Sequence, residues 1–124
     1  MFNHFEAELP PQAANYLPLS PITFLSRYAL VYQRGTSLIH GERRWTWAET
    51  YTRCRRLASA LSKKGIGKGD TVSVMAPNIP AIFEAHFGVL MAGAVLNTLN
   101  IRLEVETLSY IFEHAQTKVL LTDR

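Results

Sequence analysis

Residues 71–124 read strand, helix, strand, helix, strand, and that alternation constrains the fold more than any other feature of the chain. Thr71-Val72-Ser73-Val74-Met75-Ala76 alternates apolar with small residues, is rich in β-branched types and is closed by Pro77, which cannot donate to a central ladder. Pro80 suits a first helical position, and residues 81–92 carry only Glu84 and His86 as strongly polar groups before Gly93. A helix apolar nearly all round is expected to be buried. Ala94-Val95-Leu96 opens a second strand. Glu104 and Glu106 suit the first turn of the next helix, Leu108, Ile111, Phe112 and Ala115 form its apolar face, and Lys118-Val119-Leu120-Leu121-Thr122 is a third strand. Strands alternating with helices of this length pair in parallel through right-handed crossovers, so the fold class is α/β.

The first part of the chain is organised differently. Residues 1–19 contain Pro10, Pro11 and Pro18 and show no helical or strand period, which reads as an extended arm lying on another surface. Ser20-Pro21 is a cap and first-position pair, and Phe24, Leu25, Tyr28, Val31 and Tyr32 recur at helical spacing, predicting an amphipathic helix to about Gln33, ended by Gly35. Residues 37–40 and 43–45 flank Gly41-Glu42 as a tight hairpin, with Gly41 supplying positive φ. Thr46 and Glu49 make a capping box for a helix over residues 47–64. There Trp47, Tyr51, Cys54, Leu57, Ala58 and Leu61 share one face, and Arg53, Arg55, Arg56, Lys63 and Lys64 lie on the wet remainder.

Composition bounds the function. A net charge of +3, from 13 Lys and Arg against 10 Asp and Glu, is too mild to demand nucleic acid or an anionic membrane, and the basic helix face lacks interleaved exposed aromatics. The apolar run over 81–92 is shorter than the ~20 residues a membrane span needs. One cysteine excludes an internal disulfide, and no basic segment followed by an apolar stretch stands near Met1, so the expected compartment is the cytoplasm.

The reactive groups are sparse. Gly65-Ile66-Gly67-Lys68-Gly69-Asp70 invites comparison with a phosphate cradle, but such a loop must follow a strand and open a helix, and here the order is reversed. Gly65 is expected to close the helix and Gly69-Asp70 to turn the chain into the strand. His86 reads as a hydrogen-bonded core histidine, because no second His, Cys or carboxylate shares its face in a metal pattern; Glu84, two residues away, does not face it. Cys54, with apolar neighbours and no paired His, reads as inert packing. Asn97 and Asn100 end the second strand, where α/β sheets present groups to ligands, and are read as turn formers. No catalytic, cofactor-binding or metal-ligating residue is assigned.

Several segments nevertheless carry a resemblance. Trp45-Thr46-Trp47-Ala48-Glu49, Arg56-Leu57-Ala58-Ser59-Ala60-Leu61, Gly65-Ile66-Gly67-Lys68-Gly69-Asp70-Thr71-Val72, Met75-Ala76-Pro77-Asn78 and Phe87-Gly88-Val89-Leu90-Met91-Ala92-Gly93-Ala94-Val95-Leu96-Asn97 are collinear with, and resemble, the opening of AMP-forming acyl-CoA synthetases of the adenylate-forming superfamily. Asn15-Tyr16-Leu17-Pro18-Leu19, Glu84-Ala85-His86-Phe87, Leu96-Asn97-Thr98-Leu99-Asn100 and Arg102-Leu103 are most similar to the branch of methylmercaptopropionate-CoA ligases, plant acyl-activating enzymes and short- or medium-chain fatty acid-CoA ligases.

The resemblance implies a reaction in which ATP and a carboxylic acid give an acyl-adenylate and pyrophosphate, after which coenzyme A displaces AMP, with Mg²⁺ balancing phosphate charge. The family's Ser/Thr/Gly-rich phosphate loop and its C-terminal lysine match no position here, so no catalytic residue is carried over. On this reading residues 20–124 are a partial AMP-binding domain that stops at the third strand. This segment alone is expected to be inactive and to bind no cofactor; its partner is the remainder of the ligase, laid against the exposed sheet edge. The alternative is a free-standing α/β interaction module, or one half of a split ligase, and the open edge leaves self-association open.

Overall fold

The computed structural model describes residue 14 and residues 19–123; the expected arm over residues 1–19 lies almost wholly outside these. Helix α1 (Pro21–Val31) is capped by Ser20, whose Oγ accepts from the Ile22 amide at 3.3 Å. The helix ends at Val31, four residues before Gly35, with Tyr32 as its C-cap. Gly35 instead joins two elements: its amide donates to the Tyr32 carbonyl at 2.8 Å and its carbonyl accepts from the Trp47 amide at 3.0 Å. Only Leu25 of the expected apolar face is buried; Phe24, Tyr28, Val31 and Tyr32 are all exposed. Tyr28 still packs its ring against both Tyr32 and Trp47, at centroid separations of 5.3 and 5.0 Å.

Strands β1 (Thr36–His40) and β2 (Arg43–Thr46) form the antiparallel hairpin, with Gly41 at φ 58° in the turn. Helix α2 (Trp47–Lys63) begins with the full capping box: Thr46 Oγ1 accepts from the Glu49 amide at 3.2 Å, and Glu49 Oε2 accepts from the Thr46 amide at 2.8 Å. The amide bond, then the hydroxyl bond, hold the Glu49 carboxyl below its ordinary range. Cys54, Ala58 and Leu61 are buried as the period requires, and Thr50 joins them, its hydroxyl 2.6 Å from that of Ser37 on β1. The helix closes at Gly65, φ 79°, with the Ile66 amide bonding back to the Leu61 carbonyl at 3.0 Å. That six-to-one bond is the left-handed closure that glycine tolerates.

Strands β3 (Thr71–Met75), β4 (Val95–Leu99) and β5 (Thr117–Thr122) pair in parallel in the order β4-β3-β5. Helices α3 (Pro80–Met91) and α4 (Val105–His114) are the two crossovers. With right-handed connections, that order carries α3 and α4 on opposite faces of the sheet. The core lies on the α3 side, where Val72, Val74 and Ala76 meet Leu61, Ile66, Ala85, Val89 and Ala94.

Two burial expectations need correction. Helix α3 is not buried all round: Ala85, Gly88 and Val89 are, whereas Ala81 and His86 are exposed and Phe83, Phe87 and Leu90 are half-buried. On α4, Leu108, Ile111, Phe112 and Ala115 do share the inward face, yet none is fully buried. A three-stranded sheet with so few elements packed on it is too small to enclose either helix completely.

Candidate functional site

In α/β sheets ligands collect outside the carboxyl ends of the strands, at the point where the strand order reverses. Here the chain leaves β3 for β4 and then crosses back to β5, so that point lies between β3 and β5. A notch of about 260 Å³ opens there, lined by Leu57, Val74, Ala76, Ile79, Ala81, Glu84, Leu121, Thr122 and Asp123. It is apolar apart from Thr122 and the carboxylates of Glu84 and Asp123.

Glu84 is 7% exposed, although it stands on an otherwise apolar stretch of α3. Arg53 of α2 answers it: Nε donates to Oε1, and Nη2 donates to Oε2 at 3.1 Å. This two-pronged bond gives the buried carboxylate a charged partner and raises the guanidinium pKa above its ordinary value, chiefly through the hydrogen bond. The helices can approach this closely because Gly88 faces α2; a Cβ there would stand 2.8 Å from Leu57 Cδ2 and 3.0 Å from the Cys54 carbonyl oxygen. Cys54 lies at the same interface, fully buried, and loss of solvent pushes its thiol up to about 11. A thiol so held is protonated at neutral pH and is not a nucleophile.

On the other face of the sheet a polar row crosses all three strands. Asn97 Nδ2 donates to Ser73 Oγ at 3.0 Å, and the Ser73 and Thr117 hydroxyls are 2.7 Å apart. Ser73 has no exposed surface, so the row fastens the strands to one another. Asn97 is therefore a mid-strand residue and not a turn former. Asn100 does form the turn: its Oδ1 accepts from the Arg102 amide at 2.9 Å.

The remaining candidates separate. His86 faces solvent, with Nδ1 2.7 Å from the Ile82 carbonyl oxygen of its own helix, so it is not a core histidine. In the Gly65–Asp70 loop, the Gly67 amide donates to Asp70 Oδ2 at 2.9 Å, and Asp70 Oδ1 pairs with Lys118 of β5 at 2.6 Å. The Lys118 bond, then the Gly67 bond, lower the Asp70 pKa. An amide engaged by a carboxylate has nothing to offer a phosphate. Of the basic residues on α2, Arg55, Arg56, Lys63 and Lys64 are exposed as expected, while Arg53 is half-withdrawn into the ion pair. The signal for that pair was present in the sequence as a single acid within an apolar helix, since a buried carboxylate requires a partner. The partner, 31 residues away, was not legible.

Among the described residues no three His, Cys, Asp or Glu side chains converge as a metal site, and no helix is long and apolar enough to cross a membrane. The arrangement offers an apolar notch, a fixed ion pair and well-fastened strands; it brings together no nucleophile with a base.

Comparison with known proteins identifies this unit. The chain is 53% identical over 117 residues to a peroxisomal acetate/butyrate–CoA ligase of Arabidopsis thaliana, covering 94% of this chain and 21% of that one. It is 52% identical over 116 residues to a peroxisomal trans-cinnamate:CoA ligase of Petunia hybrida, covering 94% and 20%. It thus spans about a fifth of the length of these relatives. The structure superposes with a TM-score of 0.77, at 25% identity, on the o-succinylbenzoate CoA synthetase of Bacillus subtilis in complex with an acyl-adenylate intermediate, covering 82% of this chain and 27% of that one. The family model of AMP-binding enzymes matches residues 25–124, and the chain belongs to that family.

Proposed function

We propose that this chain is a scaffold region of an AMP-forming acyl-CoA ligase that converts a short- or medium-chain carboxylic acid and ATP to an acyl-adenylate and passes the acyl group to coenzyme A. The observation that carries the reading is the 53% identity to a ligase whose name specifies acetate and butyrate. Residues 20–124 then form part of the AMP-binding domain, and residues 1–19 an arm laid on it. The ATP, coenzyme A and Mg²⁺ of such a reaction are held elsewhere in the ligase. The described residues present no carboxylate cluster fit for Mg²⁺.

This region contributes position rather than chemistry. The strands β4 and β5 are the outer members of the sheet, so each presents one edge of backbone groups to a further strand. The remainder of the ligase supplies that strand. The notch between β3 and β5 then becomes part of the wall behind the adenylate, with Arg53–Glu84 fixing its floor. The proposed compartment is the cytoplasm; the peroxisomal location named for both plant relatives is read by receptors from short address signals, independently of this fold.

The test is acid-dependent release of pyrophosphate by the full-length ligase bearing this sequence, measured with acetate, butyrate, hexanoate and cinnamate. Turnover with the aliphatic acids and formation of the matching acyl-CoA is the expected result. Release of pyrophosphate with none of them, by a folded protein, overturns the assignment. Preference for cinnamate retains the ligase and overturns the substrate class.

A further inference from the structure

The net charge of +3 is an average over two faces that the fold keeps apart. Residues 50–69, most of α2 and the loop after it, hold six Lys and Arg and no acid: Arg53, Arg55, Arg56, Lys63, Lys64 and Lys68. All six are exposed. The acids gather elsewhere. Glu104, Glu106 and Glu113, on and beside α4, are exposed, and Arg102 is the only Lys or Arg over residues 100–117. Because α2 packs on α3, and α3 and α4 cover opposite faces of the sheet, the basic and acidic surfaces point away from each other.

Buried Cys54, Ala58 and Leu61 fix the inner side of α2, so the helical period sets Arg56 and Lys63, two turns apart, at the middle of its outer side. Arg53 and Lys64 flank them on one side and Arg55 on the other. Among the described residues the only ion pairs are Arg53–Glu84 and Lys118–Asp70, so Arg55, Arg56, Lys63 and Lys64 are matched by no acid there. Arg55 instead lies over the Tyr51 ring, 5.7 Å from its centroid. The row runs the ~25 Å length of the helix, and the exposed Arg43 and Arg44 of the hairpin stand at its N-terminal end. The acids at that end are Glu42 and Glu49, and Glu49 already accepts from Thr46.

A face of this kind attracts an anionic partner, and its form decides which. The row is straight and convex, α2 carries no exposed aromatic ring on which a nucleic-acid base could stack, and the opposed acidic face turns the basic one towards a flat negative surface. We propose that the outer face of α2, centred on Arg56 and Lys63 with Arg43 and Arg44 beside it, holds the protein against the surface of an anionic phospholipid bilayer. The apolar side of α2 is turned to the core, so contact is with lipid headgroups alone. Such binding is peripheral and salt-dependent, each Lys or Arg at the surface contributing about fivefold in affinity. The inference stands whichever acid the ligase activates, and binding is read without turnover.

Co-sedimentation of the full-length ligase bearing this sequence with large vesicles tests it. Binding is expected to phosphatidylcholine vesicles containing about one-third phosphatidylserine and not to phosphatidylcholine alone, and it should fall several-fold as NaCl rises from about 50 to about 300 mM. Arg56→Glu/Lys63→Glu should weaken it about 25-fold or more, since two favourable charges are lost and two opposing ones are added. Arg56→Lys/Lys63→Arg should keep it, because charge and not fork geometry is what a headgroup layer reads. Should the double reversal fail to fold, Arg56→Gln/Lys63→Gln carries the same test with a smaller loss. Equal binding to both kinds of vesicle, no binding to either, or binding that removal of the two charges leaves unchanged overturns the proposal. Tighter binding of a single-stranded oligonucleotide at the same salt, abolished by the same variant, gives the face to nucleic acid and overturns it as well.

Discussion

Arg53 and Glu84, 31 residues apart in sequence, form a two-pronged ion pair that ties α2 to α3, and the two sides of the pair are unequally wet. The arginine side chain keeps 46% of its surface exposed and the glutamate only 10%. Removing the arginine therefore strands a buried carboxylate, whereas removing the glutamate leaves a cation able to reach water. We expect Arg53→Leu to cost about 1–3 kcal/mol and Glu84→Leu less. The double change Arg53→Leu/Glu84→Leu should recover much of the loss, because two apolar side chains can replace an ion pair at little cost. Denaturant unfolding of the four proteins checks this, and strict additivity would refute it.

Gly88 marks the closest approach of the same helices. An added methyl would enter space held by Leu57 and the Cys54 carbonyl, at 2.8 to 3.0 Å, and the carbonyl is backbone that cannot turn aside. Alanine improves helix propensity by about 1 kcal/mol. Overpacking typically costs 1–3 kcal/mol, so Gly88→Ala is expected to destabilise on balance by up to about 2 kcal/mol. Thermal unfolding decides the sign, and a rise in Tm would refute the close packing.

Asp70 gives a pH dependence. Its pKa is lowered from the ordinary 3.8 by Lys118 and the Gly67 amide. A depressed folded-state value means that its contribution is present above the unfolded pKa and is lost as pH falls through the folded one. Stability should therefore drop below about pH 4, and Asp70→Asn should flatten that limb while matching the parent less closely at pH 7. Unfolding midpoints between pH 2.5 and 7 measure it; an unchanged acid limb in the variant would exclude Asp70 as a source.

Cys54 behaves in the opposite sense. Burial raises its thiol from the ordinary 9.0 to about 11. The folded state holds the proton more tightly, so its contribution is complete below pH 9 and is lost as pH rises towards 11. At pH 8 iodoacetamide should label native Cys54 at least tenfold more slowly than unfolded chain. Equal rates would show that the α2–α3 interface opens freely.

Local rules carried most of the fold. The hairpin at Gly41, the Thr46–Glu49 box and Gly65 after α2 depend on neighbours within a few residues, and all stand where the sequence puts them. The β-α-β-α-β order follows from periodicity alone, as does parallel pairing. What periodicity cannot contain is which sides of the elements meet. It set Arg53 on a wet face, where it is, but not in an ion pair with Glu84, and it set His86 in a core and Asn97 in a turn, because these needed knowledge of a residue 24 or more positions distant or of the extent of cover over α3.

The sequence by itself thus determined the element order, the caps and the α/β class, since these arise from backbone sterics and hydrophobic spacing within a dozen residues. Only the tertiary structure decided that a buried acid finds Arg53, that Ser73 links Asn97 to Thr117, and that α3 leaves one side open. These depend on strand order and helix approach, which bring together groups that no local pattern connects.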